Sequence, residues 1–173
     1  YGLFKAFEKA RSRRGALDLE LPEVRITMGA DNHSVATVAP IHRNDAHRLI
    51  EECMIAANVQ AAKFLRKHKV PDLYRVHPQP EVDRFEELRL RLQELGFKVS
   101  EEARTEPRAL NKVLGELRER PDFPILAMSI LRTFAQAIYT PINEGHFGLA
   151  LDAYAHFTSP IRRYPDLLVH RGI

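Results

Sequence analysis

Apolar side chains recur about every three to four residues in five stretches of the chain, and this spacing places them on one face of an α-helix. The predicted helices cover residues 1–14, 45–68, 82–95, 105–120 and 123–139. Gly15 and Gly96 are typical stop signals for the first and third helices. Asn44 or Asp45 can cap the second helix, and Thr105 can cap the fourth.

Short strands are predicted where apolar and polar residues alternate. The runs LDLELPEV, VRITM and SVATVA lie within residues 16–39 and are separated by Pro22 and by a turn at 29–32. They predict a small antiparallel meander, and a further short strand is expected at 73–77. The pattern as a whole therefore predicts an α+β fold that is mainly helical with short strands.

The second predicted helix carries polar side chains on a face that also holds apolar ones. His47, Glu51 and Asn58 share this face. Polar groups in such surroundings need hydrogen-bond partners, which either the fold or a substrate supplies. For Glu51, the spacing by itself favours partners within the fold. The apolar positions of the helix, among them Ile50 and Phe64, are expected to be buried.

The most informative stretch is residues 146–171, HFGLALDAYAHFTSPIRRYPDLLVHR. It begins as an apolar, strand-like run and reaches a Thr-Ser-Pro corner, which is followed by Arg162 and Arg163. Ser159 is a good N-cap residue and the proline after it suits a first helical position, so both arginines would fall in the first turn. Positive side chains oppose the helix dipole there unless an anion such as a phosphate binds at the same place.

The same stretch is compatible with plainer roles for its charged residues. Paired arginines near a helix start are often solvated surface charge. Pro165 would disturb a helix that began at Pro160, so a helix that restarts near Tyr164 is equally compatible. Asp152 and Asp166 flank the arginines, and an ion-pair or capping role suits both better than a metal pair.

Composition and motifs narrow the possible functions. The net charge of +3 permits nucleic-acid binding without demanding it. The single cysteine, Cys53, excludes an internal disulfide. The sequence contains no HExxH or CxxC pattern, so a zinc site within residues 1–173 is not expected. It also contains no GxSxG pattern and no glycine-rich phosphate loop, which argues against the common serine hydrolases and nucleotide-triphosphate-binding proteins. It also lacks an apolar run of membrane-spanning length and a signal peptide, which predicts a cytoplasmic protein without membrane contact.

Two blocks of the sequence resemble a known family. The run GHFGLALDAYAHFTSPIRRYPDLLVHR is similar to the signature of the ribonuclease II and ribonuclease R family of exoribonucleases, and RNDAHRLIEECMIAAN at residues 43–58 resembles a second block of the same catalytic domain. Both are closer to ribonuclease R. The resemblance implies that residues 1–173 are the C-terminal part of a larger RNB-type catalytic domain, whose metal-binding aspartates lie upstream of Tyr1.

The resemblance also implies an activity. The parent protein would be a monomeric exoribonuclease that processively hydrolyses single-stranded RNA from its 3′ end to nucleoside 5′-monophosphates, with two Mg²⁺ ions held by aspartates outside this stretch. The fragment alone would be inactive. A non-catalytic RNA-binding module, a pseudo-enzyme domain and a purely structural helical fragment are the alternatives.

The resemblance assigns roles to several residues. Arg162 matches the family arginine that contacts the phosphate at the scissile position, which makes it the catalytic candidate. Arg163 would hold the RNA backbone or neighbouring carboxylates, and Glu51 would lie near the nucleotide channel. Thr158 and Ser159 would shape the corner. The remaining RNA-binding candidates would contact nucleotides, although packing alone would also account for them: Tyr154, His156 and Tyr164.

Overall fold

A computed structural model of the chain describes residues 1–19, 24–41 and 43–173. It has the predicted α+β architecture, in which helices predominate and the strands are short. The helices are α1 (Gly2–Arg14), α2 (Asp45–Lys67), α3 (Val82–Glu94), α4 (Pro107–Leu117), α5 (Phe123–Thr133) and α6 (Tyr164–Gly172). The strands are β1 (Val24–Met28), β2 (Val35–Pro40), β3 (Tyr74–Val76) and β4 (Ile138–Thr140), and short 3-10 turns lie at Glu101–Arg104 and Phe147–Leu149.

Local signals determine several helix ends as predicted. α1 ends at Gly15, whose φ of 81° is a left-handed conformation that glycine adopts without strain. α2 begins after Asn44, whose side chain accepts a hydrogen bond from the His47 backbone N–H at 3.0 Å. Gly96, with φ at 88°, follows the end of α3.

Two predicted helix boundaries are wrong. Thr105 does not cap α4, because it ends the preceding 3-10 turn and its hydroxyl donates to the Glu102 carbonyl at 3.3 Å. α5 stops at Thr133 instead of continuing to residue 139. Phe134 leaves the helix in an extended conformation and is buried, and residues 138–140 then pair with β3. Sheet pairing and burial outweigh the local helical periodicity there.

The strands form two antiparallel pairs. β1 pairs with β2 in the register Ile26↔Val38, and every residue of both strands is exposed. This confirms the antiparallel pairing of VRITM with the following run; the run LDLELPEV lies partly outside the described residues. β3 pairs with β4, with Arg75 opposite Tyr139.

The apolar run that follows residue 146 does not form the predicted strand. Phe147–Leu149 is a 3-10 turn, and Ala150 has a positive φ of 50°. The run contacts its neighbours through isolated bridges, Tyr74↔Ala155 and His146↔Leu151. The left-handed residue breaks the extended path, which explains why the sequence pattern misleads here.

Two apolar clusters hold the elements together. One joins α3, α4 and α5 through side chains such as Leu92, Leu114 and Ile130. The other joins α2, β3 and α6, where Leu65, Val76 and Val169 meet. Burial of Ile50 and Phe64 was expected but is wrong, since they are 59% and 42% exposed. The second cluster uses a stripe of α2 that excludes both side chains. It also brings α2 beside residues 153–157, which precede the two arginines.

Candidate functional site

The backbone before the two arginines is bound to α2 through Asn58. Asn58 is 2% exposed, and its Oδ1 accepts hydrogen bonds from the N–H groups of Phe157 at 2.9 Å and Thr158 at 3.2 Å. Its Nδ2 donates to the Tyr154 hydroxyl at 2.8 Å. The fold therefore supplies the partners that this polar residue of α2 was predicted to need. We call residues 157–163 the arginine turn.

Asp166 binds the arginine turn from the other side. It is fully buried, and its Oδ1 accepts from the Ser159 N–H and from Arg163 Nη2, both at 2.8 Å. The ion pair predicted for Asp166 is thus confirmed. The ion-pair or capping role predicted for Asp152 is wrong within the described part of the chain: its side chain makes no ion pair or hydrogen bond there, and only its backbone carbonyl accepts, from Asn143 Nδ2 at 2.9 Å.

The arginine turn leads into α6 by the second of the two routes left open by the sequence. α6 begins at Tyr164 with Arg163 in the N-cap position, so Ser159 is not an N-cap and the arginines do not lie in a first helical turn. The N–H groups of Arg162 and Arg163 instead donate to the Ser159 carbonyl at 3.3 and 3.1 Å. Pro165 occupies the first turn of α6, where a missing N–H has no cost.

The two arginines have different environments. Arg163 is partly buried and bound to Asp166, as described above. Arg162 is exposed, has no ion pair with any residue that the structure describes, and makes one side-chain hydrogen bond, from Nη2 to Ser159 Oγ at 3.3 Å. Ile161 and Tyr164 beside it are also exposed. The guanidinium of Arg162 is therefore available to bind an anion.

The aromatic candidates lie on the β3–β4 side of the turn. Tyr154 is buried, and its ring lies 5.3 Å from that of His146 and 5.6 Å from that of His156. His156 Nδ1 is 2.7 Å from the Tyr139 hydroxyl. The Thr158 hydroxyl is buried, with no partner among the described residues. Contacts of these residues with RNA stay predictions.

Glu51 lies on an exposed part of α2 and pairs with Arg43, which is also exposed. The next residue, Glu52, is 8% exposed and pairs with Arg11 of α1 at 2.9 Å. Sequence spacing did not single out Glu52, because α2 contacts α1 through a face that the apolar pattern does not mark. A role for Glu51 beside a nucleotide stays a prediction.

Two histidines near the turn are held in the neutral form. Burial, together with the smaller effect of the neighbouring His77, lowers the pKa of His146 to about 3. Burial, together with the smaller effect of the positive charge of Arg163, lowers the pKa of His156 to about 4. His146 Nδ1 accepts a hydrogen bond from the Leu149 N–H at 3.2 Å, which requires an unprotonated nitrogen.

Acidification is expected to destabilise the domain. The pKa of both histidines is depressed by folding, so the stability gained from their neutral forms is complete above the unfolded pKa of roughly 6.5 and declines as pH falls toward the folded values. Each histidine would remove up to about 1.4 kcal/mol per pH unit in that window. Urea unfolding at a series of pH values from 7.5 to 5 would measure the slope.

The matched variants are His146→Asn, which keeps an acceptor for the Leu149 N–H, and His33→Gln in the exposed β1–β2 turn. We expect a shallower slope for the first and an unchanged slope for the second. An equal slope in the His146→Asn variant would contradict the assignment to His146.

Neither a metal-ligand group nor a membrane span occurs in the described part of the chain. Across residues 1–19, 24–41 and 43–173, no three His, Cys, Asp or Glu side chains are grouped closely enough to bind a metal ion. Cys53 is a free, partly buried thiol. None of the helices in these ranges has the length and apolar character needed to cross a bilayer.

The exposed Arg162, which has no ion pair among the described residues and lies on a turn held by the buried Asn58 and Asp166, makes this α+β domain a candidate anion-binding domain. Comparison with known proteins identifies the family: the RNB domain matches residues 1–173, and the chain belongs to this family. The family resemblance of the two sequence blocks is thereby confirmed.

Individual relatives agree with this assignment. Ribonuclease R of Escherichia coli is 46% identical over 173 residues, which is all of this chain and 21% of that protein. The apo form of Mycoplasma genitalium RNase R has a TM-score of 0.91 at 30% identity, covering 98% of this chain and 26% of that one. Yeast Ssd1, described as a pseudonuclease, has a TM-score of 0.65 at 25% identity, covering 76% and 17%. The chain thus spans about a fifth of the length of its curated relative in Escherichia coli.

Proposed function

We propose that the chain is part of a 3′-to-5′ exoribonuclease that processively hydrolyses single-stranded RNA to nucleoside 5′-monophosphates, and that Arg162 contacts the scissile phosphate. The observation that carries this proposal is the exposed Arg162 guanidinium, which has no ion pair in the described structure and stands on a turn fixed by buried hydrogen bonds. The names of the relatives support it, as do the structures of Mycoplasma genitalium RNase R in complex with RNA.

Arg162 would act electrostatically. Negative charge builds on the phosphoryl oxygens during phosphodiester hydrolysis, and a cation already in place stabilises that charge without reorganising. Arg163 is less suited to this task because Asp166 occupies its Nη2. Ser159 supports the guanidinium through its hydroxyl, and the exposed Tyr164 would contact a nucleotide next to the phosphate.

Nucleases commonly use divalent metal ions, and Mg²⁺ is the proposed ion of the complete enzyme. The described residues do not fit such a site: Asp166 is fully buried and paired with Arg163, and no three His, Cys, Asp or Glu side chains of residues 1–19, 24–41 and 43–173 are grouped closely enough to bind a metal ion. The ligands are proposed to lie outside residues 1–173, so we derive no step through the metal.

The decisive experiment compares the full-length protein with residues 1–173. With Mg²⁺, the full-length protein should shorten a 5′-labelled single-stranded RNA from its 3′ end and release nucleoside 5′-monophosphates from a uniformly labelled copy of the same RNA. Residues 1–173 alone should release none, with Mg²⁺ or Mn²⁺. Monophosphate release by the purified short chain would contradict the proposed placing of the metal ligands.

A second candidate function is that of a non-catalytic RNA-binding protein, because the chain is also similar in structure to yeast Ssd1, which is described as a pseudonuclease. The same experiment separates the two functions. A full-length protein that binds single-stranded RNA but leaves its length unchanged would replace the exoribonuclease proposal with this one.

A further inference from the structure

Three consecutive N–H groups of the arginine turn are held by side chains from two different helices. Asn58 of α2 accepts from Phe157 and Thr158, and Asp166 of α6 accepts from Ser159. Asn58 is 2% exposed and Asp166 is fully buried. Hydrogen bonds in such surroundings are strong and expensive to break, so the path of this backbone is fixed from both sides.

Ser159 connects the fixed backbone to Arg162. Its carbonyl accepts the Arg162 N–H at 3.3 Å and the Arg163 N–H at 3.1 Å, which closes the turn. Its hydroxyl accepts from Arg162 Nη2 at 3.3 Å. Since the guanidinium of Arg162 has no other side-chain partner in the described structure, its place depends on where Ser159 is held.

We propose that Asn58 and Asp166 are positioning residues that place Arg162 for its phosphate contact and influence RNA cleavage only through Arg162. This inference rests on the proposed function of Arg162. Neither side chain is accessible enough to touch RNA, and the carboxylate of Asp166 would repel a phosphate. They act by fixing the position of the Arg162 guanidinium, since a small displacement of a group that stabilises the transition state lowers the reaction rate considerably.

A double-mutant cycle in the full-length enzyme tests Asp166. Asp166→Asn keeps an oxygen for the Ser159 N–H but removes the charge that holds Arg163. We expect a single-turnover cleavage rate lower by roughly 10- to 100-fold. In an Arg162→Ala background the same substitution should cause no further loss, because the group it positions is gone. Losses that multiply in the double variant would overturn the proposal.

Asn58 offers a second pair of variants, which keeps the test open should Asp166→Asn fold poorly. Asn58→Asp retains oxygens for the two N–H groups, and the Tyr154 hydroxyl can donate to it. Asn58→Leu removes all three hydrogen bonds. The proposal expects Asn58→Leu to be slow and Asn58→Asp to recover most of the rate. Equal rates for the two variants would remove Asn58 from the proposal.

A control and a check on the premise complete the design. Leu92→Ala weakens the separate α3–α5 cluster without touching the turn, so the single-turnover rate of the folded protein should not change in either background. An Arg162→Ala enzyme that cleaves at the normal rate would refute the proposed role of Arg162. A slow Arg162→Ala enzyme with multiplying losses would refute only the positioning role of Asp166.

Discussion

Arg162→Ala in the full-length protein is expected to lower the single-turnover rate of RNA cleavage by roughly 10²- to 10³-fold, the cost of losing one preorganised electrostatic donor. RNA affinity should change little, because a group that acts on developing charge contributes mainly to the transition state. Arg162→Lys should recover only part of the rate, since an ammonium lacks the planar pair of donors.

Thermal melting of the same variant supplies the control. Arg162 is exposed and makes a single 3.3 Å hydrogen bond to Ser159, so its removal should leave the melting temperature unchanged. Arg171→Ala, an exposed arginine near the end of α6, should leave both the rate and the melting temperature unchanged. Normal single-turnover cleavage, or a large drop in melting temperature, would remove Arg162 from the chemistry.

Arg163→Ala is expected to have the opposite consequence and to destabilise the domain by about 3 kcal/mol or more. It leaves Asp166, whose side chain is fully buried, without its counter-charge. For a domain of this size such a loss corresponds to a melting temperature lower by roughly 6–12 °C. Circular dichroism melting of residues 1–173 at neutral pH would measure it.

A compensating substitution distinguishes the lost charge pair from lost packing. Asp166→Asn in the Arg163→Ala background removes the unpaired carboxylate and should restore part of the melting temperature. If the double variant melts no higher than Arg163→Ala alone, the destabilisation does not arise from the buried charge. The two neighbouring arginines therefore predict separable losses, one of rate and one of stability.

The sequence predicts most helices because their signals are local. The periodicity of residues 82–95, the glycine at position 15 and the cap at Asn44 each act over a few residues, and the structure confirms them. The predicted helix over 123–139 fails at its end because β4 pairs with β3, more than 60 residues earlier in the chain. The periodicity of a local sequence window gives no information on a pairing between strands so far apart in the chain.

The site was predictable in composition but not in arrangement. The sequence marks residues 158–164 as the candidate anion site, and the spacing of Arg163 and Asp166, three residues apart at a helix start, is a signal that could have assigned their ion pair. From the sequence, Asn58 was recognisable only as a polar side chain that requires hydrogen-bond partners. Its partners lie about a hundred residues away, where helical spacing gives no information.

The hydrogen bonds of Asn58 also determine when the arginine turn can take shape during folding. They join residues 96 to 100 positions apart, so forming them requires α2 and residues 154–158 to meet first. Contacts between residues this far apart in the sequence form slowly, because closing the long intervening loop lowers its conformational entropy before the contacts can stabilise the structure. On the ribosome, α2 would emerge about a hundred residues before its partners are synthesised, and the turn that carries Arg162 would become native only after they have emerged.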